Sequence, residues 1–178
     1  VLRRARRQLK GIPVATFIEQ GLGFADTASI IIESTEVVAA TRAEVWAVIC
    51  DHERWPEWFA NLTAVRSTST PATGVGSTRE VKLSGGFTFQ EEFIAWEEPT
   101  VWAFTGTEGP PPFRSLVERI TLVELDEDRT EVTYRMAIEP RRGFGLFLKA
   151  VRGGIAKNLS KALRSLGDAT AARRTEGS

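Results

Sequence analysis

Residues 43–59 read AEVWAVICDHERWPEWF, and this segment carries the clearest structural signals in the chain. Thr41, just before it, is a residue type that caps the N-termini of helices, and Glu44 follows at the spacing of a capping box. Apolar residues within Val45–Ile49 give the short helix that follows one buried face. Pro56 suits the first turn of a second short helix. The segment therefore predicts two short helices in succession.

Segments rich in β-branched and aromatic residues surround these helices and are divided by turn signals. One strand, from Ser29 to Ala40, is predicted before the helices. Gly85-Gly86 separates two of the later segments and is a strong signal of a two-residue hairpin turn. Short links favour an antiparallel meander, because parallel strands need long crossover connections. The later predicted strands are 62–69, 77–84, 87–96, 101–108, 114–125 and 130–139.

Residues 143–170 form the longest helical pattern of the chain. Gly153-Gly154 costs about 1 kcal/mol per glycine relative to alanine inside a helix, which suggests either close helix–sheet approach or space for a ligand. We expect an α+β domain in which a curved antiparallel sheet of six or seven strands wraps around this helix. The apolar residues recur every three or four positions and predict a core-facing stripe of Phe144, Phe147, Leu148, Val151, Ile155, Leu159, Ala162, Leu163 and Leu166.

Composition excludes several classes of function. The 178 residues include 23 basic and 23 acidic side chains, so the chain lacks the broad positive field of nucleic-acid binding, and no nucleic acid is expected as a partner. One cysteine and one histidine exclude a Cys/His zinc cluster, and neither a metal nor a cofactor is predicted. No apolar run approaches the ~20 residues that span a bilayer. A cytoplasmic protein is the default expectation.

The order of elements, with the longest helix last, resembles that of the START-like (SRPBCC) superfamily of polyketide cyclases/dehydrases and lipid-transfer proteins. The segment 43–59 is similar to the family's tryptophan-bearing helix, aspartate and aromatic-Pro-x-Trp turn, here Trp55-Pro56-Glu57-Trp58. The resemblance covers about residues 29–169 and implies the helix-grip fold with an internal ligand cavity. It does not decide the function, because this superfamily includes enzymes, carriers and sensors.

The chain is predicted to have three parts. Residues 1–27 are predicted to be a basic amphipathic arm, 28–170 a START-like ligand-binding domain, and 171–178 a flexible tail. The arm has three readings that stay open: a solvated tail, a helix that binds a partner or makes weak contact with an anionic membrane surface, and a processing remnant. A homodimer formed through the arm and the outer face of the sheet is a further alternative. The basic cluster of the arm is Arg3, Arg4, Arg6, Arg7 and Lys10.

Alternation of side chains along each strand predicts which residues face the cavity. Intervening polar residues indicate the phase of strands 87–96 and 130–139, that is, which of their residues point inward. Strand 114–125 is apolar on both faces, so its phase stays open. An aromatic lining suits a ring-bearing or long-chain hydrophobic molecule; the alternative is that these side chains simply fill the core. The predicted ligand-binding residues are Trp58, Phe59, Phe87, Phe89, Phe93, Trp102, Phe104, Tyr134, Met136, Phe147, Val151 and Ile155.

Glu91 shares its predicted face with phenylalanines, so its carboxyl group needs a partner, a bound ligand or a proton. Arg114 or Arg119 on a neighbouring strand is the expected partner. A carboxyl group with a raised pKa can act as a general acid or base, and the candidate catalytic residues are therefore Glu91, Arg119 and Tyr134. The alternative is that the strand twists and carries Glu91 to the rim.

His52, Cys50 and Trp55, near the short helices, also need an interpretation. We expect His52 to be a solvent-exposed capping residue, with catalysis as the alternative. Cys50 is expected to be a small buried hydrophobe, because no second cysteine accompanies it. Trp55, like Trp58, either anchors the helix pair or gates the cavity.

The preferred function is that of a carrier or sensor of a hydrophobic small molecule, whether aromatic, polyketide-like or lipid. It is preferred because no nucleophile–base pair is recognisable among the predicted inner residues. The first alternative is an enzyme of the polyketide cyclase/dehydratase type that uses Glu91 as acid or base. The second alternative is a dimeric interaction module.

Overall fold

An antiparallel, curved sheet forms the body of the protein in the computed structural model, which describes residues 13–176. Seven strands follow the order β2-β8-β7-β6-β5-β4-β3, and the two-residue strand β1 pairs with the end of β6. The strands are β1 (Ala15–Thr16), β2 (Ile30–Val38), β3 (Leu62–Ser67), β4 (Thr78–Leu83), β5 (Phe87–Glu97), β6 (Val101–Gly109), β7 (Phe113–Asp126) and β8 (Arg129–Pro140).

Two short helices and one long helix complete the fold: α1 (Arg42–Cys50), α2 (Trp55–Trp58) and α3 (Gly145–Glu176). Short 3-10 helices cover Leu22–Asp26 and His52–Arg54. The predicted α+β architecture, a curved antiparallel sheet with a long C-terminal helix, is confirmed.

Two local predictions are also confirmed. The Thr41 hydroxyl accepts a hydrogen bond from the Glu44 backbone N–H at 3.3 Å, and the Glu44 carboxylate accepts one from the Thr41 N–H at 2.8 Å, which is the reciprocal capping box. Gly85 and Gly86 have φ values of 86° and 84°, a conformation that glycine adopts without steric cost. They form the tight turn between β4 and β5, so the hairpin lies where the sequence predicts it.

The two halves of α3 differ in how they contact the sheet. The second half buries Leu159, Ala162, Leu163 and Leu166 in the main core, as the predicted stripe requires. In the first half Leu148 is buried, but Phe147 and Val151 are exposed, as is Phe144, which directly precedes the helix. The prediction that these three residues face the core is wrong, because Leu148 is the one residue of α3 before Ile155 that is buried.

The end of this helix needs correction, and one of the two explanations for its glycine pair is excluded. The helix extends to Glu176 instead of ending near residue 170, and its last turns pair Arg173 with Asp51 at 3.1 Å. A Cβ atom added at Gly153 or Gly154 would meet nothing within 4 Å, so close helix–sheet approach does not explain the glycine pair.

The described part of the predicted arm packs onto the sheet instead of standing apart from it. Phe17 is only 5% exposed and joins the main core. Its ring lies so close to β6 that a Cβ atom added at Gly106 or Gly109 would come within 2.8 or 2.6 Å of it. The predicted boundary at residue 27 therefore places a core residue in the arm. The basic cluster from Arg3 to Lys10 lies outside the described residues.

Candidate functional site

A cavity of about 160 Å³ lies between the inner face of the sheet and α3. Its lining is mainly apolar and includes rings from α2, β5, β6 and β7. Polar groups enter it from Arg79, Glu91, Glu118 and Tyr134, on four different strands, and from Asn61 and Asn158. Such a hollow, apolar with a few convergent polar groups, is the usual form of a small-molecule site.

Half of the predicted ligand-binding residues line this cavity. Phe93 and Trp102 are instead fully buried behind it, where their rings pack 4.9 Å apart. Trp58 borders a separate small hollow beside Arg173. Phe87, Phe147 and Val151 are exposed and do not reach the cavity. Those that line it are Phe59, Phe89, Phe104, Tyr134, Met136 and Ile155, together with the catalytic candidate Glu91.

Arg79 on β4 is the partner of Glu91 on β5, where the two residues lie directly opposite each other. The Arg79 Nε donates to Glu91 Oε2 at 2.7 Å, and the two side chains are only 1% and 5% exposed. Neither Arg114 nor Arg119 plays this part, so the predicted partner is wrong. Arg114 is exposed, and Arg119 belongs to the opposite face of the sheet.

Aromatic rings surround the Arg79 guanidinium group. Its Cζ lies 4.4 Å from the ring centroid of Trp55, 4.7 Å from that of Trp102 and 4.8 Å from that of Phe104. Cation–π attraction of this kind strengthens when the site is desolvated. The Arg79 Nη1 has no hydrogen-bond partner among the described residues. A buried donor without an acceptor is costly, and the rings around the guanidinium group offset part of that cost here.

Glu118 on β7 and Tyr134 on β8 form a second buried pair. The Tyr134 hydroxyl donates a hydrogen bond to Glu118 Oε2, and both residues line the cavity. Burial raises the pKa of Glu118 to about 8, and the nearby charge of Glu91 adds to this effect. Burial also raises the pKa of Tyr134 well above its ordinary value. At neutral pH this carboxyl group is therefore mainly protonated, and the tyrosine is neutral.

Glu91 and Glu118 consequently have different roles. Burial raises the pKa of Glu91, but the adjacent Arg79 acts in the opposite direction. Glu118 has no arginine in hydrogen-bond contact among the described residues and takes up a proton instead. When two carboxyl groups share a low-dielectric site, one of them usually holds a proton. The site thus contains an ion pair beside a neutral acid–phenol pair.

His52 is buried, contrary to the predicted exposed capping role. Its ring stacks on Phe93 with centroids 5.1 Å apart. Burial, with the charge of Arg79, lowers the pKa of His52 to about 3, so the ring is neutral and does not line the cavity. Cys50 is half-buried, and burial raises the pKa of its thiol to about 12, which makes it unreactive.

The two residues that sequence reasoning missed are Arg79 and Glu118. Arg79 has the same phase as Val81 along β4, so alternation alone places it on the inner face. Glu118 lies between Leu116 and Ile120 on β7, a strand whose two faces look alike in the sequence. Its phase becomes clear only when the residues that cover the outer face are known.

Among residues 13–176, no group of three or more His, Cys, Asp or Glu side chains is arranged to hold a metal ion. Within the same range, no helix has the length and hydropathy required to cross a membrane.

The curved sheet, the long helix and the cavity between them define a hydrophobic-ligand-binding fold of the START type. Residues 29–170 match the family described as "Polyketide cyclase / dehydrase and lipid transport", and the chain belongs to that family. The resemblance predicted from the segment 43–59 and the order of elements is thereby confirmed.

Curated relatives from Mycobacterium tuberculosis and Mycobacterium bovis are 39% identical to this chain over 84 residues. Both are uncharacterised proteins, and the match covers 47% of this chain and 50% of theirs. The match thus spans about half the length of these relatives.

Solved structures agree in fold. The Zhui aromatase/cyclase of Streptomyces sp. R1128 has a TM-score of 0.70 at 17% identity, covering 81% of this chain and 94% of that one. A START superfamily protein of Mycobacterium smegmatis has a TM-score of 0.64 at 19% identity, covering 75% and 93%. Norcoclaurine synthase of Thalictrum flavum, solved with dopamine and hydroxybenzaldehyde, has a TM-score of 0.63 at 15% identity, covering 88% and 95%. At these identities the likeness shows the fold alone.

Proposed function

We propose that the protein binds a small ring-bearing molecule whose ring lies among the aromatic side chains and whose polar group accepts a hydrogen bond from Arg79. The observation that carries this proposal is a mainly apolar cavity lined by Arg79, whose Nη1 has no hydrogen-bond partner among the described residues. A ligand acceptor would satisfy that donor without removing Glu91 from Nε. Preorganised donors of this kind orient a ligand and give specificity.

The size of the cavity limits the ligand. A cavity of roughly 150 Å³ with apolar walls holds one benzene-sized molecule, and the cavity here measures about 160 Å³. It therefore fits a compact system of one or two fused rings with a polar substituent better than a long acyl chain. A lipid would require side chains such as Phe89 or Ile155 to move, because both line the cavity.

Binding can be measured by fluorescence titration with an environment-sensitive naphthalene dye. Leu83→Trp fills the cavity from a half-buried position in its wall, whereas Val123→Trp adds the same side chain to an exposed position away from the cavity. We expect the first change to weaken dye binding about tenfold or more, since a filled cavity excludes the ring. We expect the second to leave it unchanged. Equal binding by both variants, with native circular dichroism spectra, would refute the proposal.

The polar anchor is tested by comparing naphthalene with 2-naphthol as competitors of the dye. The naphthol oxygen can accept a hydrogen bond from Arg79, and such a bond contributes roughly 0.5–3 kcal/mol to affinity. We therefore expect 2-naphthol to compete more strongly than naphthalene. Equal competition would mean that the Arg79 donor does not select the ligand.

Catalysis is the second candidate function, and the protonated state of Glu118 favours it. A carboxyl group with a pKa of about 8 can donate a proton at neutral pH and recover it, as proton transfer in a cyclisation or dehydration requires. Glu118 suits this role better than Glu91, which is held in an ion pair. Arg119 is excluded from the site by its position on the opposite face.

The enzyme hypothesis is tested with Glu118→Gln. This change keeps the shape of the side chain and a hydrogen-bonding partner for Tyr134, so dye binding should persist. If the wild type converts an aromatic candidate substrate and Glu118→Gln binds it without converting it, catalysis is supported. If the wild type and Glu118→Gln both bind the candidate substrates and neither converts any of them, ligand binding remains the supported function.

A further inference from the structure

The first two turns of α3 expose an unusual amount of apolar surface. Leu146 is 84% exposed and Phe147 53%, and Phe144 and Val151 are exposed beside them. We call these four residues, with the neighbouring Arg142, Lys149 and Arg152, the α3 patch. Large apolar side chains clustered in this way usually mark an interaction surface.

The charged residues of α3 up to Gly167 all have one sign. Between Arg141 and Gly167 the sequence contains arginines and lysines but no aspartate or glutamate. Arg142, Lys149 and Arg152 are exposed, and none of them forms an ion pair with another described residue. The patch therefore combines apolar side chains with unneutralised positive charge, on a chain whose formal net charge is zero.

A second exposed apolar set provides a contrast. Val37, Val123 and Leu125 are also exposed, but the charges next to them are paired: Glu36 with Arg164, Glu124 with Arg42 and Asp126 with Arg129. Apolar exposure is thus common to both surfaces, and only the charge distinguishes them. An anionic partner would be attracted to the α3 patch, whereas the basic residues next to the second set are already paired with carboxylates.

We propose that the α3 patch docks the protein onto an anionic phospholipid surface. Apolar side chains on a helix enter the boundary between head groups and acyl chains, while lysine and arginine contact lipid phosphates. Exposed Asn158 and half-buried Ile155 line the cavity and follow Val151 by one to two helical turns. Docking would bring that end of the cavity near the bilayer. The proposal does not depend on the identity of the cavity's ligand.

The test is flotation of the full chain with phosphatidylcholine vesicles, with and without phosphatidylserine. We expect binding only to the mixed vesicles, and weaker binding as salt is raised. Leu146→Ser/Phe147→Ser removes the apolar part, and Lys149→Glu/Arg152→Glu reverses two charges. Each should lower the bound fraction at least about tenfold, because each basic residue near the surface contributes substantially to attraction. All four positions are exposed, so these changes should not disturb the core.

Val123→Ser/Leu125→Ser is the matched control, since it removes exposed apolar surface from the second set, where the charges are paired. It should bind mixed vesicles like the wild type. The proposal is overturned if the wild type does not bind mixed vesicles, or if the patch variants bind them as well as the wild type does. It is also overturned if the control loses binding equally, or if the patch instead holds together a dimer that binds no vesicles.

Discussion

Two arginine–carboxylate pairs lie on opposite faces of the same sheet and differ mainly in their surroundings. On the inner face Arg79 and Glu91 meet at 2.7 Å and are almost completely buried. On the outer face Arg119 and Asp26 meet at 2.8 Å and are 21% and 50% exposed. Arg119 directly follows Glu118 in β7, so adjacent residues serve the two faces. Distance alone therefore says little about what a charge pair does.

Exposure to solvent determines how the two ion pairs differ in their contribution to stability. Water screens the outer pair, so that its partners gain little from each other. The inner pair has lost its hydration and depends on its partner and on the surrounding rings. Arg119 lowers the pKa of Asp26, whereas burial raises the pKa of Glu118 to about 8. The inner site therefore combines a retained ion pair with a neutral acid, a combination useful for binding or proton transfer.

The largest expected effect is that of removing Arg79. Arg79→Leu would leave Glu91 buried without its partner, and breaking a buried ion pair in this way costs about 3–5 kcal/mol. Chemical denaturation should show this loss in the free energy of unfolding. Arg79→Leu/Glu91→Leu is the control, since replacing both partners by apolar groups should recover most of the stability. A loss below about 1 kcal/mol in the single variant would mean that Arg79 contributes no more to the free energy of unfolding than a surface ion pair does.

Glu118 should make stability depend on pH in the opposite sense to Asp26. The folded protein holds the Glu118 proton up to about pH 8, whereas the unfolded chain releases it near 4.5. The stabilisation from this proton is complete below pH 4.5 and is lost as pH rises through 8. Because Asp26 has a lowered pKa, its contribution is instead lost as pH falls.

Unfolding free energies measured across this pH range would test the difference. The wild type should lose on the order of a few kcal/mol between pH 5 and 8 relative to Glu118→Gln, which has no proton to release. Asp26→Asn should change only the acidic end of the profile. Parallel profiles for the wild type and Glu118→Gln would show that Glu118 titrates normally.

The smallest effect is expected on the outer face. Arg119→Ala should lower the free energy of unfolding by no more than about 1 kcal/mol, and added salt should reduce the difference. Asp26 would also retain its contact with Arg135. A loss as large as that of Arg79→Leu would remove the distinction between the two faces.

Much of the fold could be predicted because the local sequence signals favour the same structures that the tertiary fold contains. Thr41 with Glu44, and Gly85 with Gly86, are signals that act over a few residues and need no distant partner. The inner phase of Tyr134 and Met136 on β8 was also readable, because polar residues separate them. Sequence patterns predict the orientation of an element well where one of its faces is exposed to solvent and the other is buried.

The site was only partly predictable because β7 is buried on both faces. Leu22–Asp26 covers its outer face, where Ala25 packs with Val117 and Ala137. Alternation therefore gave no phase, and Glu118 could not be assigned. The prediction for the first turns of α3 failed for the opposite reason. Phe147 and Val151 repeat at the spacing of core residues, although no core lies beneath them. Periodicity identifies an apolar face but not what covers it.

The cavity can be observed directly through Met136, which lines it and is the one methionine of the 178-residue chain. Labelling the methionine methyl group with ¹³C gives a probe on the cavity wall, and Met136→Leu identifies its signal in the NMR spectrum. We predict that adding 2-naphthol shifts this signal saturably, because a ring bound in the cavity lies near the methyl group, and that Leu83→Trp weakens the response. A Met136 signal that stays in place at ligand concentrations that saturate the protein would contradict the account, because the ring would then bind elsewhere.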